Sequence, residues 1–291
     1  MTDGDAPDVL LLGDSVSVRV AHEDSDSTDL AGMVARELLP PMRTCSIAAS
    51  GYHAGVFREI VRLLEVMPHR PRVIVLPINL RSFFPQWALN PLWSYDGTIR
   101  AIKRYGRLSG RVIPKIRPEH ASRRALRHYL DVEVSNPILP GRTIGEICEV
   151  IARPSQTDQD RIERQRVIFA FHYLHALDGT HPRLTAVHDA VRTATTLGIP
   201  VVVYVVPINY EAGRELLGAS FTERLADNVT VISRVVERAS GPPGTEFFDW
   251  STLLGPEAFF HRFEPTEHLN EHGRRTLADH IAAAARQRLT V

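Results

Sequence analysis

Short, unbroken apolar runs alternate along this chain with longer stretches whose apolar residues recur every three or four positions. The runs at 8–13 (DVLLLG), 44–49, 72–78 (RVIVLPI) and 201–208 (VVVYVVPI), with a weaker one at 246–250, predict buried strands. The stretches at 28–39, 54–67, 159–177, 183–197 and 271–289 predict helices. Leu30, Met33, Val34 and Leu38 share one face of the first helix, which Pro40 and Pro41 end. Gly198 closes the helix at 183–197, and the last helix carries its stripe through Leu277, Ile281 and Ala284. Strand–helix alternation of this kind predicts an α/β fold with a parallel sheet of about five strands covered on both faces. Residues 79–200 separate the third and fourth strands, far more chain than the crossover requires. Of these, 80–157 read as irregular and rich in proline, arginine and aromatic residues. They are expected to form an insertion or lid within a single domain spanning 1–291.

The strand ends collect the chemistry. The first run ends in Gly13-Asp14-Ser15, where a strand turns toward a helix and a serine projects from the carboxyl edge of the sheet. A serine needs a base, and His268 stands in EHLNEHG immediately before the last helix. Gly51, in ASGYHAG after the second strand, offers a backbone N–H with no side chain in the way. Asn79 ends the third strand and offers its side-chain N–H groups. A near-repeat, VLPIN ending at Asn79 and VVPIN ending at Asn209, puts a second asparagine at a neighbouring strand end, where open α/β sheets bind ligands.

In order and spacing, Gly13-Asp14-Ser15, Gly51, Asn79 and His268-Leu269-Asn270 with Gly273 resemble the motifs of the SGNH (GDSL-type) hydrolase and acyltransferase family. The resemblance implies a three-layer α/β/α sandwich on a flavodoxin-like parallel sheet. It also implies Ser15 as nucleophile, His268 as base, and an oxyanion hole made by the Ser15 and Gly51 backbone N–H groups with Asn79. No cofactor and no metal are implied. Two positions depart from the family pattern. Pro265 stands where an aspartate usually orients the histidine, leaving Glu264, Glu267 or a backbone carbonyl for that task, with Glu264 preferred because Glu267 adjoins the histidine and points away. The third block reads Pro77-Ile78-Asn79-Leu80, keeping the asparagine but not the usual glycine and aspartate.

Around this core, Arg81, Asn209 and Trp87 are candidate substrate contacts. Phe83, Phe84, Trp87, Trp93 and Tyr95 either line an acyl pocket or anchor the insertion. His172, His175, His181 and Asp178 lack the spacing of a metal motif and read as structural or surface groups.

Composition adds one asymmetry. Basic and acidic residues balance at 34 each, yet the stretch 100–127 holds ten arginines and lysines against Glu119 alone. Its default reading is a solvated face. Its sharper reading is a dock for a polyanionic acyl donor (a carrier protein, coenzyme A or aminoacyl-tRNA) with Arg104, Arg107 and Arg111 as contacts. Cys45 and Cys148 are too few for a disulfide framework. An acidic start and the absence of a long apolar run predict a cytoplasmic protein with no membrane segment. The expected activity is serine acyl transfer through an acyl-Ser15 intermediate, most simply hydrolysis of a small-molecule ester. Transfer to a hydroxyl or amine acceptor is the alternative, and a catalytically lapsed binding module is the third reading.

Overall fold

The computed structural model describes residues 6–38, 42–107, 121–134 and 136–290, with the backbone alone described at 106 and 107. Five strands, β1 (Val9–Gly13), β2 (Thr44–Ala48), β3 (Val73–Ile78), β4 (Val201–Val205) and β5 (Thr245–Asp249), form one sheet in the order β2-β1-β3-β4-β5. Every pairing is parallel. The sheet is buried from both sides, which is why β1, β3 and β4 read as continuous apolar runs and not as alternating ones.

Successive side chains of these strands enter opposite cores. Leu10, Leu12, Ile74, Leu76, Ile78, Val201, Val203 and Val205 pack with the helices Ala54–Leu63, Pro182–Thr196 and Ala219–Ala239. Val9, Leu11, Val73, Val75, Val202 and Tyr204 pack with the helices Leu30–Leu38 and Glu271–Leu289. Two cores on one sheet make a three-layer α/β/α sandwich with the flavodoxin-like strand order.

The outer parts differ from the sequence reading in two places. The insertion is not irregular: it contains helices at Pro85–Ala88, Asp96–Arg107, Arg123–Leu130 and Ile144–Ala152. Two helices, Tyr210–Leu217 and Ala219–Ala239, occupy a region for which no element was expected. β4 is also shorter than its apolar run. Val206 still donates to the Ile78 carbonyl at 3.0 Å, but Ile208 leaves the sheet to donate to the Ser251 carbonyl at 3.0 Å. Among the described residues no helix is long and apolar enough to cross a membrane.

In this strand order the chain reverses direction between β1 and β3, and a crevice opens beyond their carboxyl ends. Ser15 follows β1 and Asn79 follows β3, so the fold delivers both to that crevice.

Candidate active site at the sheet edge

Just past the end of β1, Asp14 turns the chain. Its carboxylate accepts the Val16 N–H at 2.8 Å, capping the short helix Ser15–Val18 and placing Ser15 at its first position. The other Asp14 oxygen accepts from Asn79 Nδ2 at 2.8 Å, tying the end of β1 to the end of β3. Burial raises the Asp14 carboxyl above the ordinary range, and these two hydrogen bonds oppose that rise. Asn79 Oδ1 accepts the Arg81 N–H at 3.1 Å, so the amide is fixed in orientation while its second N–H stays available.

His268 arrives on the loop before the last helix. The loop is pinned by an antiparallel bridge between Phe259 and Leu269, by Phe260 N–H donating to the His268 carbonyl at 2.9 Å, and by His268 N–H donating to Thr266 Oγ1 at 3.0 Å. Its imidazole Nε2 lies 3.1 Å from Ser15 Oγ. Burial, followed by the positive charges of Arg81 and Arg19, pulls the His268 pKa down to about 3. A neutral imidazole in hydrogen-bond contact with a serine hydroxyl is a proton acceptor already in place.

Ser15, Gly51, Asn79 and His268 line one pocket of about 100 Å³, together with Arg19, Arg81, Trp87, Trp93 and Arg183. Gly51 has φ of +80°, and a Cβ built there would stand 2.4 Å from the Trp93 ring, so both backbone and space call for glycine. Its N–H makes no hydrogen bond among the described residues. Gly51→Ala is therefore expected to cost about 1–2 kcal/mol from the left-handed backbone alone, and more from displacing Trp93. A thermal melt measures the sum, and a slower reaction of Ser15 with a fluorophosphonate is expected to accompany the displacement of Trp93.

The orienting carboxylate expected at Glu264 is not found there. Glu264 is exposed, and among the described residues no carboxylate reaches the His268 ring. The arrangement is a serine–histidine pair, not a triad. Glu267 faces the opposite way. Fully buried, it ion-pairs with Arg81 Nη2 at 2.8 Å and accepts from the Tyr173 hydroxyl, anchoring the chain immediately before His268.

Asn209, expected as a substrate contact, lies away from Ser15. It is fully buried outside the pocket lining, and its Nδ2 donates to the carbonyls of Arg262 at 2.8 Å and Glu264 at 3.2 Å, clamping the histidine loop. Arg81 and Trp87 do line the pocket. Arg81 is held by Glu267 and stacks on the Trp87 ring, 4.9 Å from its centroid. The aromatic residues divide. Trp87 and Trp93, 5.1 Å apart, wall the pocket, Phe83 and Phe84 enter the core, and the Tyr95 hydroxyl donates to the Ser50 carbonyl. His175 and His181 pack on Phe84 and Phe83, far from metal-site geometry, and among the described residues no cluster of three metal-type ligands occurs.

Of the basic stretch, Arg104 is exposed on the helix Asp96–Arg107, whereas the Arg107 side chain and Arg111 lie outside the described residues. The sequence reading overlooked Asp14, Arg19 and Arg183. Asp14 had a signal, since it adjoins Ser15 at a helix start where aspartate is a preferred cap. Arg183 had none, because its helix is remote in sequence from every motif.

Comparison with protein-family profiles gives no match, and comparison with curated proteins gives no significant match. Among solved structures, the chain is similar to a mutant of Axe2, an acetyl-xylooligosaccharide esterase from a Geobacillus species. That comparison gives 12% identity and a TM-score of 0.43, over 99% of this chain and 96% of that chain. A catalytic mutant of Axe2, described as an acetylxylan esterase from Geobacillus stearothermophilus, gives a TM-score of 0.42 at 12% identity and the same coverage.

Proposed function

We propose that the chain is a serine acyl-transfer enzyme of the SGNH type, hydrolysing a small-molecule ester through an acyl-Ser15 intermediate. The observation that carries this reading is the 3.1 Å contact between His268 Nε2 and Ser15 Oγ, in a pocket that also holds Gly51 and Asn79. In the forward step, Ser15 Oγ bonds to the ester carbonyl carbon as His268 Nε2 takes the hydroxyl proton. The carbonyl oxygen becomes an oxyanion, met by the Gly51 N–H and the free N–H of Asn79. Collapse breaks the bond to the leaving oxygen, which receives the proton from the imidazolium. Water, deprotonated by His268, then releases the acid and restores Ser15. An alcohol or amine in place of that water gives transfer with the same groups.

A pocket of about 100 Å³ holds only a few water-sized groups, which favours a short acyl chain. The Asp14 bridge serves the same chemistry by fixing the Asn79 amide before reaction begins, so no donor has to reorient as charge develops.

Because His268 is held at about 3, it stays neutral well below the ordinary histidine value of 6.5. The acid limb of kcat/KM is expected below pH 5, and a limb near 6.5 would show that burial does not depress the His268 pKa during turnover. Stability carries the same sign. His53 and His268, both near 3 in the fold, take up protons in the unfolded chain below about pH 6.5. Their contribution is therefore full above that value and is lost as pH falls toward 3, which chemical denaturation at stepped pH measures.

The test of the proposed function is covalent labelling by a fluorophosphonate, read as intact mass. One adduct on the wild type, absent in Ser15→Ala, is the expected result. No adduct under conditions that label a known serine hydrolase overturns it.

A further inference from the structure

Beyond the serine–histidine pair, the pocket is lined by three arginines, and among the described residues only one of them has a carboxylate partner. Arg81 is neutralised by Glu267. Arg183 is 8% exposed, yet among the described residues no carboxylate pairs with it. Its guanidinium donates to two backbone carbonyls, those of Ser82 and of Trp87 (the latter at 2.9 Å), which leaves the charge uncompensated. Arg19 follows the helix Ser15–Val18, is exposed at the mouth, and makes no ion pair among the described residues.

Against these three stands one carboxyl in the lining, Asp14, whose oxygens are already committed to Val16 and Asn79. Of the other titratable lining groups, Tyr52 carries no charge, its pKa raised by burial, and His268 is neutral. His53, one layer behind, is neutral as well, pushed down by burial and by the nearby Arg183 charge.

An unpaired guanidinium in a nearly buried wall is expensive to keep, because removal from water is not offset by a counter-charge. A purely structural donor to the Ser82 and Trp87 carbonyls needs no charge, since neutral N–H groups also donate to backbone carbonyls. Walls of this kind become favourable when the missing negative charge comes with the ligand, and the fork of an arginine suits the two oxygens of a carboxylate or phosphate. We infer that the Ser15 pocket takes a substrate bearing a carboxylate or phosphate group, held between Arg19 at the mouth and Arg183 in the wall. The inference rests on the same site as the proposed function, and it names the chemical class of that site's substrate. Arg81, paired with Glu267 and stacked on Trp87, is not free to swing onto the anion.

Isothermal titration of the whole chain at low ionic strength, with succinate, inorganic phosphate and neutral succinamide, tests this directly. At least one anion is expected to bind with Kd at or below about 1 mM, with succinamide at least roughly tenfold weaker. The order of succinate and phosphate tells which anion the fork prefers. Arg19→Gln, an exposed change that spares the fold, is expected to weaken the anion about tenfold, the usual scale for one charge-assisted contact. Arg183→Gln, which removes the charge and retains a polar side chain, is expected to do at least as much. If neither anion binds at ~10 mM, if succinamide binds equally well, or if both variants bind as the wild type does, the inference is overturned. Fluorophosphonate labelling of the same samples keeps the two readings apart. Anion binding without an adduct removes the acyl-transfer reading alone, and an adduct without anion binding removes the anionic substrate alone.

Discussion

Ser15→Ala and His268→Ala are each expected to lower kcat/KM on an activated short-chain ester by about 10⁴- to 10⁶-fold, with the double variant no worse than either single one. The magnitude follows from what a serine–histidine pair does as a unit. Without the imidazole the hydroxyl keeps its proton, and without the hydroxyl the imidazole has nothing to activate, so the losses overlap instead of adding. What survives comes from the oxyanion donors and from binding, which need neither group. The 3.1 Å contact is the only side-chain link between them, and no carboxylate supports the imidazole among the described residues. A kinetic double-mutant cycle with purified variants checks this. Additive losses, giving a double variant far slower than either single one, would show that Ser15 and His268 act in separate steps and would sink the proposed mechanism.

Glu267→Ala is expected to produce the largest loss of stability among single changes near the site. Glu267 is fully buried and binds two partners at once, Arg81 at 2.8 Å and the Tyr173 hydroxyl. Its removal leaves a nearly buried guanidinium without a counter-charge and a buried hydroxyl without an acceptor. Breaking such a pair from one side typically costs about 3–5 kcal/mol, which for a chain of this size lowers Tm by on the order of 10 °C. Since Glu267 adjoins His268, the labelling rate of Ser15 at temperatures where the variant remains folded should fall as well. Glu267→Gln keeps an acceptor for Tyr173 and removes only the charge, so comparing the two variants separates the hydrogen bond from the ion pair. A melting temperature within about 2 °C of wild type for Glu267→Ala would mean that Arg81 finds water or another acceptor, and that the network does not hold the histidine loop.

The network also holds His268 in place with Pro265 three residues before it. Buried prolines cannot orient an imidazole, but here the loop is fixed through its backbone. Asn209 holds the carbonyls of Arg262 and Glu264, Thr266 holds the His268 N–H, and Glu267 anchors the loop from the core side. In the proposed mechanism, the position of His268 is supplied by the chain and not by a third side chain.

Much of this was legible in the amino-acid sequence. Unbroken apolar runs located β1, β3 and β4, because a strand covered on both faces needs no alternation, and shorter, mixed runs located the edge strands β2 and β5. Glu271–Leu289 begins and ends where its stripe and the Asn270 cap require. The helix Ala219–Ala239 was overlooked, although Phe221, Leu225, Ile232 and Val236 recur at helical spacing and are all buried. The insertion helices are harder to see, since Pro85–Ala88 is a single turn and Arg123–Leu130 buries only Tyr129 among arginines.

Local sequence determines local geometry: the strand period, the cap at Asp14, the glycine at position 51. It could not distinguish Asn79 from Asn209, which end the same tripeptide, Pro-Ile-Asn, after two parallel strands. Asn79 faces Ser15 because β3 lies beside β1 where the strand order reverses, whereas Asn209 lies past β4, beneath the histidine loop. Arg183 reaches the pocket only because its helix packs on the same face as Ala54–Leu63. Strand order and helix docking are set by long-range burial, whose partners are far apart in the chain, and so the charge of the pocket was decided by the tertiary structure alone.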